Sequence, residues 1–338
     1  MPAPQVTAET MEYLLVLVLP EPRKVLAISD ADAYRLPTVS IPQWTRPAEQ
    51  LQKTIRTVWR VHAVILEFLH GTPLCVVAEV LISAESIGLD PVALHQLHTS
   101  EISEGQQAQI ASMLAGKRCT NSPFSKIGWI DEAITWLESE TGKKLSSKKD
   151  IEQFNAGGAF ALVRFRIEND RDYWLKATGH PNAHEFPITM LLSRLCGDYL
   201  PELISSKPAW NAWLTLGGGT SAAEIPETPF ETFTLLEGAV QCMARLQMQT
   251  QGHTLDLLGA GAFDQSVWVF QTHIAEIFNY LDEVINLQIS TKAPRLEKKR
   301  IHDSRLELGP QMKNRDFTRA DRNRHYPRRD RRLGCGKT

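Results

Sequence analysis

The stretch that decides the fold, at residues 173–188, reads Tyr-Trp-Leu-Lys-Ala-Thr-Gly-His-Pro-Asn-Ala-His-Glu-Phe-Pro-Ile. Its apolar start predicts a short strand that carries one lysine, Lys176. The Gly-His-Pro-Asn turn leads into a predicted helix with Glu185 in its first turn. A lysine in an apolar strand is costly to desolvate unless a carboxylate or a phosphate lies beside it. We therefore predict that Lys176 meets Glu185, in a site that a nucleotide phosphate can share.

A glycine turn and an alternating strand precede this stretch. Residues 154–160 hold a turn with two glycines, Gly157 and Gly158, and residues 161–167 alternate apolar side chains with arginines at the period of a strand. The order is glycine turn, strand, polar turn, strand with lysine, helix with glutamate. This order resembles the small lobe of the aminoglycoside-phosphotransferase-like branch of the protein-kinase fold.

The resemblance implies an activity and a site. A complete member of the family moves the γ-phosphate of ATP, held with Mg²⁺, to a hydroxyl of a small molecule. By the resemblance, Lys176 holds the α- and β-phosphates, Glu185 orients Lys176, and the glycine turn covers the phosphates. Residues 210–216 have the character of the strand and connector whose backbone meets the adenine. The implied nucleotide-binding residues are Gly157, Gly158, Lys176, Glu185, Trp213 and Leu214.

The catalytic part of the family pattern is missing from the sequence. The family carries a His-Gly-Asp loop with a downstream asparagine and a second, metal-binding aspartate. After Ile289 the nearest candidates are His-Asp at 302–303, Asp-Phe at 316–317 and residues 325–330, and none has the loop around it. We interpret these as coincidence. The prediction is an inactive or truncated member that lacks catalytic and metal-binding residues and binds nucleotide weakly at most.

Residues 1–142 form a first predicted region. Residues 13–19 and 24–28 predict a strand hairpin, and the nearly continuous apolar run at 74–82 predicts a central strand. Thr45 is the expected N-cap of a helix with an apolar face that extends to Leu69. Further helices are expected near 104–114 and 130–137.

This first region resembles a Nudix domain without its metal site. The Nudix family needs a glycine turn and several helix glutamates to hold Mg²⁺ against a diphosphate. Here Thr38 and Val39 stand where the glycines would be, and the predicted helix offers only Glu49 and Glu67 as carboxylates. A Nudix-like fold in this region is therefore expected to be catalytically silent.

Polar composition and helical periodicity complete the domain assignment. The basic stretch 143–150 predicts a solvated linker, and residues 151–291 are the predicted partial kinase-like domain. Its large-lobe part begins with an amphipathic helix at 228–249, followed by a second at 267–289. The residues of the first of these helices expected to face inward are Phe233, Leu236, Val240, Met243, Ala244 and Leu246.

The charge of the chain is concentrated in its last segment, 292–338. This segment carries 16 lysines and arginines against 6 acidic residues, a net charge of +10, whereas residues 1–291 carry 21 against 33, a net charge of −12. Three interpretations stay open: a disordered basic tail that touches nucleic acid or an acidic partner, an ordinary solvated terminus, or an out-of-frame translation of the missing catalytic segment. We favour the third, because apolar periodicity stops where the active site is due.

The composition sets the general class. Five widely separated cysteines without a Cys-x-x-Cys pair argue against a disulfide framework or zinc site and favour the cytoplasm. The longest apolar run, 13–19, is too short to span a membrane. We predict an α+β protein that binds a nucleotide, with a small hydroxyl-bearing molecule as the family's second substrate. The alternative is a non-catalytic interaction protein with an acidic body and a basic C-terminal tail.

Overall fold

The first half of the chain folds around a mixed sheet. The computed structural model describes residues 10–30, 33–43, 45–82, 88–98, 101–117, 124–157, 159–168, 171–217, 229–285 and 297–313. Within them the first seven strands form one sheet. They are β1 (Thr10–Val18), β2 (Val25–Asp30), β3 (Ala33–Arg35), β4 (Thr38–Pro42), β5 (His62–Leu69), β6 (Cys75–Ile82) and β7 (Asp90–Val92).

The order of this sheet is β3-β2-β1-β6-β5, with β4 paired to β1 and β7 paired to β2. The pair β1–β6 is parallel and brings Leu14 opposite Cys75, while the other pairs are antiparallel. Strand β6 lies between two neighbours and is buried on both faces along most of its length, as its continuous apolar run predicts. The predicted hairpin of the first two strands is also confirmed.

The first helix is shorter than the sequence predicts. Helix α1 spans Pro47–Trp59, with Arg46 rather than Thr45 at its N-cap. Arg60 takes a left-handed conformation at φ 55°, which ends the helix, and residues 62–69 form β5. The prediction that the helix runs to Leu69 is wrong because the apolar residues of 61–69 are nearly continuous and fit a buried strand as well as a helix face.

Two helices and a second sheet follow. Helices α2 (Glu104–Leu114) and α3 (Trp129–Thr141) have the positions predicted for them. The second sheet is antiparallel, in the order β11-β12-β10-β9-β8. Its elements, with the helix inserted after β10, are β8 (Ile151–Asn155), β9 (Phe160–Phe165), β10 (Tyr173–Thr178), α4 (Glu185–Leu195), β11 (Leu203–Lys207) and β12 (Ala212–Leu216).

The two sheets share one hydrophobic core. One face of the first sheet packs on α1, and the other contributes to a cluster that includes α3 and the apolar face of the second sheet. At the edge of β5 the buried Gln153 side chain accepts from the Ile65 N–H at 2.6 Å and donates to its carbonyl at 2.8 Å. This amide satisfies backbone groups that an edge strand would otherwise leave unpaired. Both sheets therefore lie in one compact unit, 1–262.

The predicted linker, 143–150, lies between parts of that unit. Within it Lys148–Asp150 form a short 3₁₀ turn, and Lys148 Nζ lies 2.5 Å from Asp131 Oδ1 on α3. The predicted domain 151–291 extends across the division between 262 and 263. The assignment of 1–142 and 151–291 to separate family domains stays a prediction.

Two helices follow the second sheet in the first unit, and one of them differs from its predicted environment. Helices α5 (Pro229–Thr250) and α6 (Thr254–Gly259) belong to the first unit. The prediction that α5 buries its apolar face is wrong for the described residues, since Phe233, Leu236, Val240 and Met243 are all more than half exposed. Amphipathic periodicity predicts which face can be buried, but a covering partner is needed to bury it.

The second unit, 263–338, is described as two helices. Helix α7 (Val267–Val284) and helix α8 (Lys298–Lys313) pack through a small cluster in which Ile301 meets Phe278 and Ile285. Part of the predicted basic tail is thus helical, and residues 314–338 lie outside the described residues. None of the helices in the described part of the chain combines the length and hydropathy that a membrane span requires.

Candidate functional site

Lys176 and Glu185 are in contact. Lys176 lies on β10 between β9 and β12, and Glu185 is the first residue of α4. The Lys176 Nζ atom lies 2.5 Å from Glu185 Oε2, and the two side chains are 30% and 33% exposed. The ammonium group therefore has its counter-charge but keeps an open side through which an anion can approach.

Aromatic rings surround the same ammonium group. Lys176 Nζ lies 4.9 Å from the centre of the Phe160 ring and 5.5 Å from that of Trp213, distances at which a cation is attracted to a ring face. Trp213 in turn lies 6.2 Å from Phe186 of α4. The strand lysine, the helix glutamate and these rings form the candidate site, which we call the lysine clamp.

Strand alternation separates the lysine clamp from the core. Leu175 and Ala177, on either side of Lys176, are buried in the shared core, while Lys176 lies on the opposite face. Trp213 joins the clamp, but the structure does not bring the Leu214 side chain to it, because Leu214 is fully buried on the core face. Both residues lie inside β12 and pair with strands on both sides.

The glycine turn lies between β8 and β9. Gly157 has φ +121°, a conformation that favours glycine, and a methyl group built there would meet open space. The turn is linked to the end of β10 by the Gly179 N–H, which donates to the Ala159 carbonyl at 2.9 Å. It therefore lies near the end of the strand that carries Lys176. Gly158 lies outside the described residues.

Asn211 positions the start of α4 and was missed in the sequence. Its side-chain amide donates to the Thr178 carbonyl at 3.1 Å, to Thr178 Oγ1 at 2.8 Å and to the Ala183 carbonyl at 2.9 Å. Its own backbone is left-handed, at φ 50°, which asparagine tolerates better than most residues. Asn211 thus joins the end of β10 to the turn before Glu185. A single asparagine before a strand gives no sequence signal of such a network.

The described residues do not supply a metal centre. Among them no three histidine, cysteine, aspartate or glutamate side chains lie close enough together to hold a metal ion. The fit to ATP is therefore partial: the lysine clamp can hold a phosphate, whereas a Mg²⁺ ligand set is not found in the described part of the chain. Of the sequence candidates for catalysis, 302–303 lie on α8, and 316–317 and 325–330 lie outside the described residues.

The carboxylates considered for a Nudix metal site lie on different elements. Glu49 is on α1, where it lies 3.8 Å from Arg46. Glu67 is on β5, where its Oε2 accepts from the Ser125 hydroxyl at 2.7 Å. The structure therefore does not place both on one helix, as the Nudix comparison would need.

A third carboxylate, Glu79 on β6, is fully buried. Its Oε2 accepts from the Gly128 N–H at 2.7 Å, while its Oε1 has no hydrogen-bond partner among the described residues. Burial raises the pKa of Glu79 to about 7; the Gly128 N–H lowers it, Asp131 raises it and Lys148 lowers it. Glu79 is thus a neutral-pH titrating group in the shared core, away from the lysine clamp in sequence and strand.

Comparison with known proteins adds no assignment. The chain matches no protein-family model, and the search of curated proteins finds no match.

Proposed function

We propose that residues 151–291 contain the small lobe and first large-lobe helices of an aminoglycoside-phosphotransferase-like fold that binds a nucleotide weakly and does not transfer its phosphoryl group. The observation that carries this proposal is the contact between Lys176 and Glu185. A strand lysine held by a glutamate from the next helix is the arrangement that kinases use for the α- and β-phosphates. A cytoplasmic location belongs to the same proposal.

Each residue of the lysine clamp has a defined role in this proposal. Glu185 holds the Lys176 ammonium group in place, and Lys176 presents its positive charge to phosphate oxygens. Trp213 and Phe160 limit the directions in which that charge is solvated. The turn at Gly157 gives a backbone that can approach a phosphate chain, since glycine adds no side chain there.

Phosphoryl transfer lies outside the proposal. In the family, ATP with Mg²⁺ supplies the phosphoryl group, and an aspartate accepts or orients the proton of the substrate hydroxyl. The chain carries no His-Gly-Asp loop after Ile289, and its described residues hold no metal cluster. We infer that ATP, if bound, is held without being consumed.

A thermal-shift titration with ATP and Mg²⁺ tests the role of Lys176. Ligand that binds only the folded state raises the unfolding temperature, so the wild type should shift and Lys176→Ala should not. Lys207→Ala is the matched control. Lys207 also lies on a strand of the second sheet, β11, with its Nζ 3.5 Å from the centre of the Trp210 ring. Among the described residues it has no glutamate partner like the one that Glu185 provides for Lys176.

Equal shifts in the wild type and Lys176→Ala would remove Lys176 from the site. A loss of the shift in Lys207→Ala alone would place the nucleotide elsewhere on the sheet. Production of ADP above the spontaneous rate would refute the absence of phosphoryl transfer.

The first region is included in the proposal as a Nudix-like fold without catalysis. The supporting observation is the separation of its candidate carboxylates between α1 and β5, with Glu67 hydrogen-bonded to Ser125. Addition of Mg²⁺ alone should therefore leave the unfolding temperature unchanged. A saturable rise would contradict this part.

The second candidate function is a non-catalytic interaction protein. It is favoured by the contrast between the net charge of +10 in residues 292–338 and −12 in the remainder. Deletion of the residues after Lys292 should abolish salt-sensitive association if the tail binds partners, and it should leave any ATP effect unchanged.

A further inference from the structure

A positively charged groove lies between α1 and β8, and its lining does not include Lys176, Glu185 or Trp213 of the lysine clamp. Its volume is about 520 Å³, within the range of sites that hold small ligands. The cations that line it are Lys53, Arg56, Lys148, Lys149, Arg164 and Arg166, and the only acidic residues among its lining are Glu49 and Glu152. A second hollow of about 330 Å³, lined by Arg56, Arg60 and Lys149 but by no acid, shares residues with the first.

The ion pairs of the groove leave some cations available. Glu152 binds both Arg164 and Arg166, and Lys148 binds Asp131. By contrast, Lys53, Arg56 and Arg60 have no acidic partner within 4 Å among the described residues and are exposed. Lys53 and Arg56 lie on the side of α1 opposite the buried Leu51 and Ile55, and Arg60 is the C-cap residue that follows the helix.

This concentration of charge has no sufficient structural explanation. The helix dipole stabilises the positive charges of Arg56 and Arg60 near the C-terminus of α1, which accounts for two of the cations. It does not account for Lys53, whereas Lys148 on the opposite wall is paired with Asp131. Residues 1–291 carry a net charge of −12, so a local cationic groove in this acidic body attracts and orients anions.

One end of the groove is aromatic. The Phe154 ring packs on Trp174 with ring centres 4.9 Å apart, and the Arg164 guanidinium lies over both rings, 5.4 Å from Phe154 and 5.5 Å from Trp174. Phe154 lines the groove and is partly exposed. A ligand in this groove can therefore place several negative charges against α1 and a flat apolar group against Phe154.

We propose that this groove, named here the α1–β8 groove, binds a small ligand that carries a chain of two or more phosphates. Several charges are required of the ligand because Lys53 and Arg56 of the groove and Arg60 of the adjoining hollow lack an acidic partner among the described residues. The volume limits the ligand to about the size of a nucleotide. The shared chemistry is the phosphate chain, which can come from inorganic polyphosphate or from a nucleoside polyphosphate.

Calorimetric titration with inorganic tripolyphosphate tests this proposal on the full chain. The triple variant Lys53→Gln/Arg56→Gln/Arg60→Gln should bind at least about ten-fold more weakly than the wild type, because charge-assisted hydrogen bonds are each worth one to two factors of ten. Binding by the wild type should weaken between 50 and 250 mM salt, as expected for about this number of ionic contacts.

The matched control removes the same charge from another exposed helix. Lys298→Gln/Lys299→Gln/Arg300→Gln on α8 should change the affinity by less than about two-fold, since these residues do not line the groove. Equal losses in the two triple variants would overturn the proposal, because they would show non-specific attraction to charge. An unchanged affinity in the groove variant, with its fold confirmed by circular dichroism, would also overturn it.

Two further arms separate the ligand sources and the two sites. A tighter affinity for ATP than for tripolyphosphate, lost in Phe154→Leu, identifies a nucleoside polyphosphate, whereas equal affinities identify the phosphate chain alone. Lys176→Ala should keep tripolyphosphate binding, so failure of the lysine clamp and failure of the α1–β8 groove are distinguishable. Binding of single-stranded RNA without any binding of tripolyphosphate would contradict a small-ligand site.

Discussion

The second sheet and helix α5 each have an apolar side, at the period of a strand and of a helix respectively, but only the sheet buries that side. On β9 and β10, Phe165 and Leu175 are fully buried, whereas on α5 the exposure of Leu236 is 58% and that of Val240 is 68%. The sheet has the first sheet and α3 to pack on. No described residue covers the exposed apolar residues of α5, here called the α5 row: Phe233, Leu236, Val240 and Met243. The small-lobe part of the proposed kinase-like fold is thus a packed structure, and its first large-lobe helix is not.

The largest expected effect is in the packed region. Phe165→Ala removes a fully buried ring from the shared core and should lower the free energy of unfolding by about 3–5 kcal/mol. Urea denaturation measures this loss. A cost below about 1 kcal/mol would mean that the second sheet is not packed on the first as the structure shows.

The second prediction concerns the pH dependence of the same packed region. The pKa of Glu79 is about 7 in the folded state against 4.5 as its ordinary value, so the folded protein binds the proton more tightly. The contribution of Glu79 to the free energy of unfolding is therefore greatest below about pH 4.5. It falls by roughly 3 kcal/mol as the pH rises through 7. Glu79→Gln should abolish this component of the pH dependence and stabilise the protein at pH 8 relative to the wild type.

Denaturation series at pH 5 and pH 8 measure the Glu79 effect. Glu140→Gln on the exposed side of α3 is the control and should leave the wild-type pH dependence in place. An equal change in the free energy of unfolding between pH 5 and pH 8 in the wild type and in Glu79→Gln would contradict the role of Glu79.

The third prediction tests how the packed sheet holds α4. Asn211→Gly keeps a residue that accepts φ 50° but removes three side-chain hydrogen bonds, and it should lower the free energy of unfolding by about 1–3 kcal/mol. It should also weaken any ATP-induced thermal shift, because the turn before Glu185 loses its attachment. A stability loss with an unchanged ATP shift would show that Asn211 has no part in positioning the lysine clamp.

The smallest effect is expected on α5. Leu236→Ala replaces an exposed side chain with a strong helix former and should change the free energy of unfolding by no more than about 0.5 kcal/mol. The measurement is the same urea series used for Phe165→Ala. A cost near 2 kcal/mol would show that the α5 row is covered in solution and would remove the contrast between the two regions.

The sequence predicted local elements well where one period dominates. Helix α2 lies where it was predicted, α4 has Glu185 in its first turn as predicted, and the predicted apolar strand with Lys176 is β10. The prediction extended helix α1 through residues 62–69 because the apolar residues of this buried strand also fit a helical spacing. The prediction that α5 buries its apolar face was wrong because periodicity does not reveal whether a covering surface exists.

The sites depended on contacts between distant residues, and sequence reasoning reached only one of them. Lys176 and Glu185 are nine positions apart on adjacent elements, so their contact was within reach. The α1–β8 groove joins α1 to residues 148–149, about ninety positions later, and the same lysines looked like part of a solvated linker. Asn211 gave no signal because its partners, Thr178 and Ala183, lie on another strand and turn.

Nucleotide binding at the lysine clamp is tested most sharply by calorimetric titration of ATP into the Lys53→Gln/Arg56→Gln/Arg60→Gln variant, with and without Lys176→Ala. The first three changes remove the α1–β8 groove as a competing anion site. The Lys176–Glu185 pair is about one-third exposed, so its loss should cost at most about 1 kcal/mol of stability and leave the fold intact. We expect weak, saturable ATP binding that disappears with Lys176→Ala. The same affinity with and without Lys176 would contradict it.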